Sequence, residues 1–153
     1  MEVMGELIDK FKRKIDYLRL SVTDRCNLRC VYCMPEYGII QKEPYEILGF
    51  EEIARLAKVF LSAGIDKIKI TGGEPLVRRG LPQLLELLSS ISDLKDLSLT
   101  TNGVFLKKYA GQLKKAGLKR INISIDTLDE QKFRYITREG RLKDVLEGID
   151  IAL

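Results

Sequence analysis

Lys67-Ile68-Lys69-Ile70-Thr71-Gly72-Gly73-Glu74-Pro75 sets a pattern that the rest of the chain repeats. Ile68 and Ile70 alternate with Lys67, Lys69 and Thr71, the period-two signature of a strand with one apolar and one polar face. Two glycines and Pro75 then stop the strand. Beyond them Leu81, Leu84, Leu85, Leu88 and Ile91 recur at helical spacing. Strand, turn and helix in that order make one βα unit.

The unit recurs on both sides. Strands are predicted over residues 18–23, 67–71, 96–100 and 120–126, and each leads directly or through a loop into a helical pattern. Ile53, Leu56, Ala57, Phe60 and Leu61 form one helical stripe, and Leu106, Tyr109, Ala110 and Leu113 another. A last helix is expected over 142–153, and a short amphipathic helix over 3–15 precedes the first strand. Repeated strand–helix alternation predicts an α/β fold with a parallel sheet. About four such units make part of a TIM-type (β/α) barrel with helices outside, and the chain is expected to be incomplete. The expected division is a helix over 1–15 and a partial barrel over 16–153.

All four strands alternate, where parallel strands buried on both faces usually read as unbroken apolar runs. Leu18, Leu20 and Val22 oppose Arg19, Ser21 and Thr23; Leu97 and Leu99 oppose Ser98 and Thr100; Ile121, Ile123 and Ile125 oppose Asn122, Ser124 and Asp126. Helices should cover the apolar face. The polar face then suits either the inside of a curved sheet lining a ligand cavity or a face open to water. Arg19, Lys67 and Lys69 make it basic, as a phosphate-bearing ligand prefers.

The chain has 153 residues, of which 45% are hydrophobic and 31% charged, with a net charge of +4. That is ordinary for a globular domain, and no basic block or aromatic-interleaved stripe argues for nucleic acid. Charged residues in the N-terminal stretch argue against a signal peptide, and no apolar run reaches the roughly 18 residues of a membrane span, so a cytoplasmic location is expected. There is no histidine, and the 3 cysteines are Cys26, Cys30 and Cys33. An odd number so tightly grouped makes a disulfide framework improbable and favours a metal or redox role.

Spacings of three and two residues let one loop wrap these thiolates around one centre, with Arg25 and Arg29 expected to favour the thiolate form. A structural zinc site is closed by four ligands, and an ordinary four-iron cluster takes four cysteines. Three cysteines therefore point to an iron–sulfur cluster with one open iron, or to a fourth ligand from another chain. Zinc completed elsewhere and reactive thiols are the other readings. Thr71–Pro75 ends at the same sheet edge as the cysteine loop, where α/β proteins place their sites. Its glycines permit close backbone approach to a ligand, and Glu74 can accept from an ammonium group or simply cap the following helix.

Cys26-Asn27-Leu28-Arg29-Cys30-Val31-Tyr32-Cys33, with an aromatic before its last cysteine, resembles the motif of the radical S-adenosylmethionine superfamily. Residues 16–27, 31–35, 71–75, 100–103 and 121–129 resemble, within it, the GTP 3′,8-cyclase family of molybdenum cofactor biosynthesis. The resemblance implies a 4Fe-4S cluster on Cys26, Cys30 and Cys33 whose open iron chelates S-adenosylmethionine. It implies reductive cleavage to a 5′-deoxyadenosyl radical, abstraction of the 3′ hydrogen of GTP, and attack of the sugar radical on C8 of guanine. By the same resemblance Tyr32, Gly72, Gly73, Glu74 and Ser124 are cofactor contacts, and Arg19, Lys69 and Thr100 are GTP contacts. Many relatives carry arginine where this chain has Lys69, which puts a bidentate phosphate grip there in doubt.

The resemblance also implies a reductant protein and a cyclic pyranopterin monophosphate synthase downstream, and it admits a homodimer. Members of that family are about twice as long and hold a second 4Fe-4S cluster near the C-terminus, for which this chain has no further cysteine. The chain alone is therefore expected to be inactive. Another radical S-adenosylmethionine activity, such as peptide modification, and a metal-binding module without turnover are the alternatives. Structural roles are open for several residues: Ser124 and Thr100 as plain strand hydroxyls, Asp126 as a strand-end acceptor, and Arg78 and Arg79 as solvent-facing. Lys107, Lys108, Lys114 and Lys115 read as a solvated helix face.

Overall fold

The computed structural model describes residues 7–153. Four strands, β1 (Tyr17–Ser21), β2 (Lys67–Thr71), β3 (Asp96–Thr101) and β4 (Arg120–Ile123), form one sheet in the order β1-β2-β3-β4. All neighbours are parallel, with Arg19 opposite Lys69, Lys69 opposite Ser98, and Thr100 opposite Asn122. The helices are α1 (Phe50–Ser62), α2 (Leu81–Ser89), α3 (Leu106–Lys115), α4 (Glu130–Thr137) and α5 (Leu142–Ala152). This is the expected open part-barrel of βα units.

The apolar strand face and the helical stripes meet in one core. Ile68, Ile70 and Leu99 are fully buried against Leu84, Leu85, Leu88, Leu106 and Leu113. Truncating any one of these leucines to alanine removes about 2–5 kcal/mol. A smaller cluster of Phe133, Leu142 and Val145 packs against Ile123 and Ile125 and joins α4 and α5 to the last strand. Local chemistry sets the helix ends. Glu52 accepts from the backbone of Gly49 ahead of α1, and the Asp129 carboxylate caps α4 by accepting from Lys132 N at 2.8 Å.

Three expectations need correction. The helix over 3–15 is absent from its described part, and residues 1–6 lie outside the described residues. Residues 7–15 instead double back, with Ile8 bridging Lys14 antiparallel and Ile15 N donating to Leu7 O at 2.8 Å. Asp9 is the cause. Its carboxylate accepts from Phe11 N and Arg13 N at 2.8 and 2.9 Å, taking amide protons a helix would need. Lys12 then turns left-handed at φ 63.

β4 stops at Ile123 rather than residue 126, although Ser124 N still donates to Thr101 O at 2.9 Å. The helix α4 was not expected at all, because its eight residues carry only Phe133 and Thr137 into the interior.

Candidate active site at the carboxyl edge of the sheet

The cysteine loop leaves β1 pressed against the chain that leaves β2. Val22 N donates to Thr71 O at 2.9 Å, Gly73 N to Thr23 O at 2.7 Å, and Glu74 N to Arg25 O at 2.8 Å. A Cβ on Gly72 would stand 2.5 Å from Thr23 O, and one on Gly73 would stand 2.4 Å from Arg25 O. The close approach these glycines allow is thus to the chain's own backbone at the root of the cysteine loop.

Glu74 is buried, and both its carboxylate oxygens accept from the chain's own donors. It accepts from Leu76 N (2.9 Å) and Thr101 Oγ1 (2.7 Å) through one oxygen and from Asn102 N (2.7 Å) through the other. Burial pushes its carboxyl up from the ordinary value, opposed by these donors. It both caps the turn Pro75–Val77 and braces β3. Asn102 then reaches the cysteine loop, donating to Asn27 Oδ1 at 2.9 Å with its amide nitrogen 4.0 Å from Cys26 Sγ. Cys26 Sγ also accepts from Leu28 N at 3.4 Å.

Cys26, Cys30 and Cys33 all line one cavity of about 230 Å³. Tyr32, Gly72, Gly73, Glu74, Thr100 and Ser124 line it too, so every residue assigned to the cofactor, and Thr100, comes together there. Burial first, then the charges of neighbouring groups that include Cys33, pushes the Cys26 and Cys30 thiols up. The two arginines do not offset this as expected: Arg29 pairs with Glu139 at 3.0 Å, and Arg25 is exposed.

A bound cation would offset the burial and the neighbouring negative groups that disfavour the Cys26 and Cys30 thiolates. Among the described residues no three His, Cys, Asp or Glu side chains stand close enough to hold one metal ion. Three thiols suit a four-iron cluster with one iron left open, whereas a structural zinc takes four ligands.

Tyr32 is 64% exposed, and its hydroxyl donates to Asp126 Oδ2 at 2.8 Å. That bond to a carboxylate, followed by burial, drives its ionisation far above the ordinary phenol range. Asp126 therefore serves as the acceptor for Tyr32.

Arg19 and Lys69 do not line the cavity. They face each other across β1 and β2 on the polar side of the sheet, one strand repeat below Thr71, which does line it. A strand repeat is about 7 Å. Lys67 is neutralised by Asp16 at 2.6 Å, and Arg120 pairs with Asp96. Lys69 lies over the Tyr17 ring at 5.8 Å from its centroid. Among the described residues neither Arg19 nor Lys69 has an ion pair, which leaves them the available cations of this face. Arg78 is structural, donating to Val22 O and Leu48 O at 2.7 and 2.6 Å.

Sequence reading missed Asn102, Phe133 and Thr137 as cavity residues. The Asp129 cap before Phe133 was the available signal for the last two. A larger cavity of about 520 Å³ between α3, β4 and α5 has no cysteine or carboxylate in its lining.

The site is thus an open parallel α/β part-barrel with three thiols at its carboxyl edge. The Radical SAM superfamily model matches residues 20–153, and the chain belongs to that superfamily. That membership implies a 4Fe-4S cluster and S-adenosylmethionine, and the three-thiol donor set fits the cluster.

The chain is 57% identical over 145 residues to a GTP 3′,8-cyclase of Thermodesulfovibrio yellowstonii, covering 94% of this chain and 45% of the relative. It is 55% identical over 149 residues to a GTP 3′,8-cyclase of Peptoclostridium acidaminophilum, covering 97% of this chain and 46% of the relative. It thus spans under half the length of these curated relatives. Among solved structures, SuiB of Streptococcus suis bound to S-adenosylmethionine superposes with TM-score 0.71 at 20% identity, over 90% of this chain and 29% of that one. Methylornithine synthase gives TM-score 0.68 at 15% identity, over 89% and 40%. At such identities the likeness is one of fold.

Proposed function

We propose that this chain is the cluster- and S-adenosylmethionine-binding part of a GTP 3′,8-cyclase, a lyase of molybdenum cofactor biosynthesis. The carrying observation is that the three thiols share one cavity with Tyr32, Gly72, Gly73, Glu74 and Ser124. Cys26, Cys30 and Cys33 would hold the cluster and leave one iron for S-adenosylmethionine. The cluster, when bound, supplies the electron that cleaves this cofactor and so starts hydrogen abstraction from GTP.

The remaining roles belong to the chain's own residues. Glu74, committed to β3, fixes Asn102 beside Cys26. Gly72 and Gly73, having no Cβ, let the end of β2 pack on the backbone of Thr23 and Arg25 and so set the root of the cysteine loop at the cavity. Thr100 at the cavity, with Arg19 and Lys69 one repeat below, makes a polar cationic track for a nucleotide triphosphate. Support for this track is that the other two basic residues near it, Lys67 and Arg120, are already ion-paired.

Residues 16–153 form the core domain in this reading. A second cluster, supplied from beyond the region shared with the relatives, completes the GTP site, and the chain by itself makes no product. The reading also brings in a reductant protein, a cyclic pyranopterin monophosphate synthase that consumes the product, a homodimer and a cytoplasmic setting. Among the described residues no helix is long and apolar enough to cross a membrane.

The test fuses this chain to the C-terminal portion of the Thermodesulfovibrio yellowstonii relative and supplies GTP, S-adenosylmethionine and dithionite without air. Formation of 3′,8-cyclo-7,8-dihydro-GTP is expected. Cleavage of S-adenosylmethionine with GTP untouched contradicts the substrate.

A further inference from the structure

The cysteine loop is tied from outside by a residue that neither its motif nor the strand pattern singles out. Arg138 follows the last residue of α4 with φ 61, a conformation that L side chains rarely adopt and glycine adopts freely. Its side chain is doubly engaged: Nη1 donates to Arg29 O at 2.9 Å and to Met34 O at 3.1 Å. Arg29 directly precedes Cys30 and Met34 directly follows Cys33, so one guanidinium nitrogen bridges both ends of the arc between two thiols.

The arc is held from other sides as well. Cys33 N and Met34 N both donate to Cys30 O at 2.9 and 3.2 Å, which makes a tight turn. Arg29 N and Val31 N donate to Thr137 O and Ile136 O at 3.1 and 2.9 Å. The last carbonyls of α4, without partners inside their own helix, are thus spent on the cysteine loop. Arg138 stays out of the cavity of the three thiols and lines the other side of the loop with Arg29 and Glu139.

We infer that Arg138 is a positioning residue for the iron–sulfur cluster, setting the span between Cys30 and Cys33 by bracing the carbonyls on either side of them. The inference rests on the reading of the three cysteines as cluster ligands. A planar guanidinium fixes both bonds with one orientation, which a lysine ammonium does less rigidly. Outer partners of this kind hold ligands in place and slow metal loss. Charge close to a cluster also sets its potential.

The test uses Arg138→Gly and Arg138→Lys in the whole chain, reconstituted without air with iron and sulfide. Glycine removes the brace while relaxing the backbone, and lysine keeps the charge. Iron and labile sulfide per chain, the rate of cluster loss to a chelator, and the paramagnetic resonance of the reduced cluster are measured. The glycine variant should melt within a few degrees of the parent when iron-free, yet lose its cluster about tenfold faster. Arg138→Lys should recover most of the retention. A glycine variant with the parent's loss rate and spectrum overturns the inference. One that melts far below the parent when iron-free also overturns it, because Arg138 then serves the fold. A parent chain that takes up no labile sulfide instead overturns the ligand reading, whatever the variants do.

Discussion

The hydroxyl of Tyr32 donates to Oδ2 of Asp126 at 2.8 Å, tying the middle of the cysteine loop to the chain that leaves β4. Both residues line the cavity that holds the three thiols. A phenol held protonated by a carboxylate stays a fixed wall across the whole neutral range.

Tyr32→Phe removes this tie and leaves every cysteine in place. A hydrogen bond to a charged group contributes about 1.5–3 kcal/mol, and the exposure of Tyr32 reduces it to about 1 kcal/mol. Affinity for S-adenosylmethionine should fall about fivefold, measured by calorimetry on the reconstituted chain, with iron and sulfide content unchanged. Unaltered affinity removes Tyr32 from the cofactor contacts.

Gly73→Ala sets a Cβ 2.4 Å from Arg25 O, a backbone atom that cannot swing aside. Forced overpacking of this kind costs about 1–3 kcal/mol. The urea midpoint should drop accordingly, and iron uptake should drop with it, because the strained contact is the root of the cysteine loop. Full iron uptake by the variant separates the two glycines from loop placement.

Glu74→Gln preserves shape but replaces an acceptor oxygen with an NH2 group facing donors. At least one of Leu76 N, Thr101 Oγ1 or Asn102 N loses its partner in the interior, which costs about 1–3 kcal/mol. Urea unfolding of the iron-free chain reads this directly. A variant as stable as the parent means the carboxylate is not bound as inferred.

The pair of Asp16 and Lys67 gives a pH dependence. The Lys67 bond lowers Asp16 from its ordinary value, and the same bond raises Lys67. A lowered carboxylate contributes stability above its unfolded pKa and loses it as pH falls through the folded one. A raised ammonium contributes below its unfolded pKa and loses it as pH climbs through the folded one. The pair should therefore act fully between about pH 5 and pH 9. The melting difference between the parent and Lys67→Met should be constant in that window, and should vanish in strong acid and shrink in high salt. A difference that persists in acid contradicts the pairing.

The sheet was legible in the sequence because alternation along each strand survives folding unchanged. Ile68 and Ile70 went inside, and Arg19 and Lys69 came to face each other on the polar side. The cysteine loop was legible because its spacing is local. What depended on side chains competing for backbone was not. Asp9 captured the amides of Phe11 and Arg13 where apolar periodicity had suggested a helix. Glu74 also braces β3 through Thr101, a partner 27 residues away that no local pattern announces. The helix α4 escaped notice because most of its residues are polar and exposed, and with it went Arg138, whose partners lie more than 100 residues back in the chain.

The central claim is that Cys26, Cys30 and Cys33 hold a cluster with one iron open to S-adenosylmethionine. Anaerobic reconstitution with iron and sulfide, reduction with dithionite, and electron paramagnetic resonance with and without S-adenosylmethionine test it most directly. The account predicts a reduced four-iron signal that shifts when S-adenosylmethionine is added and disappears in Cys30→Ala. A chain that binds one zinc with no labile sulfide, or a cluster signal indifferent to S-adenosylmethionine, contradicts it.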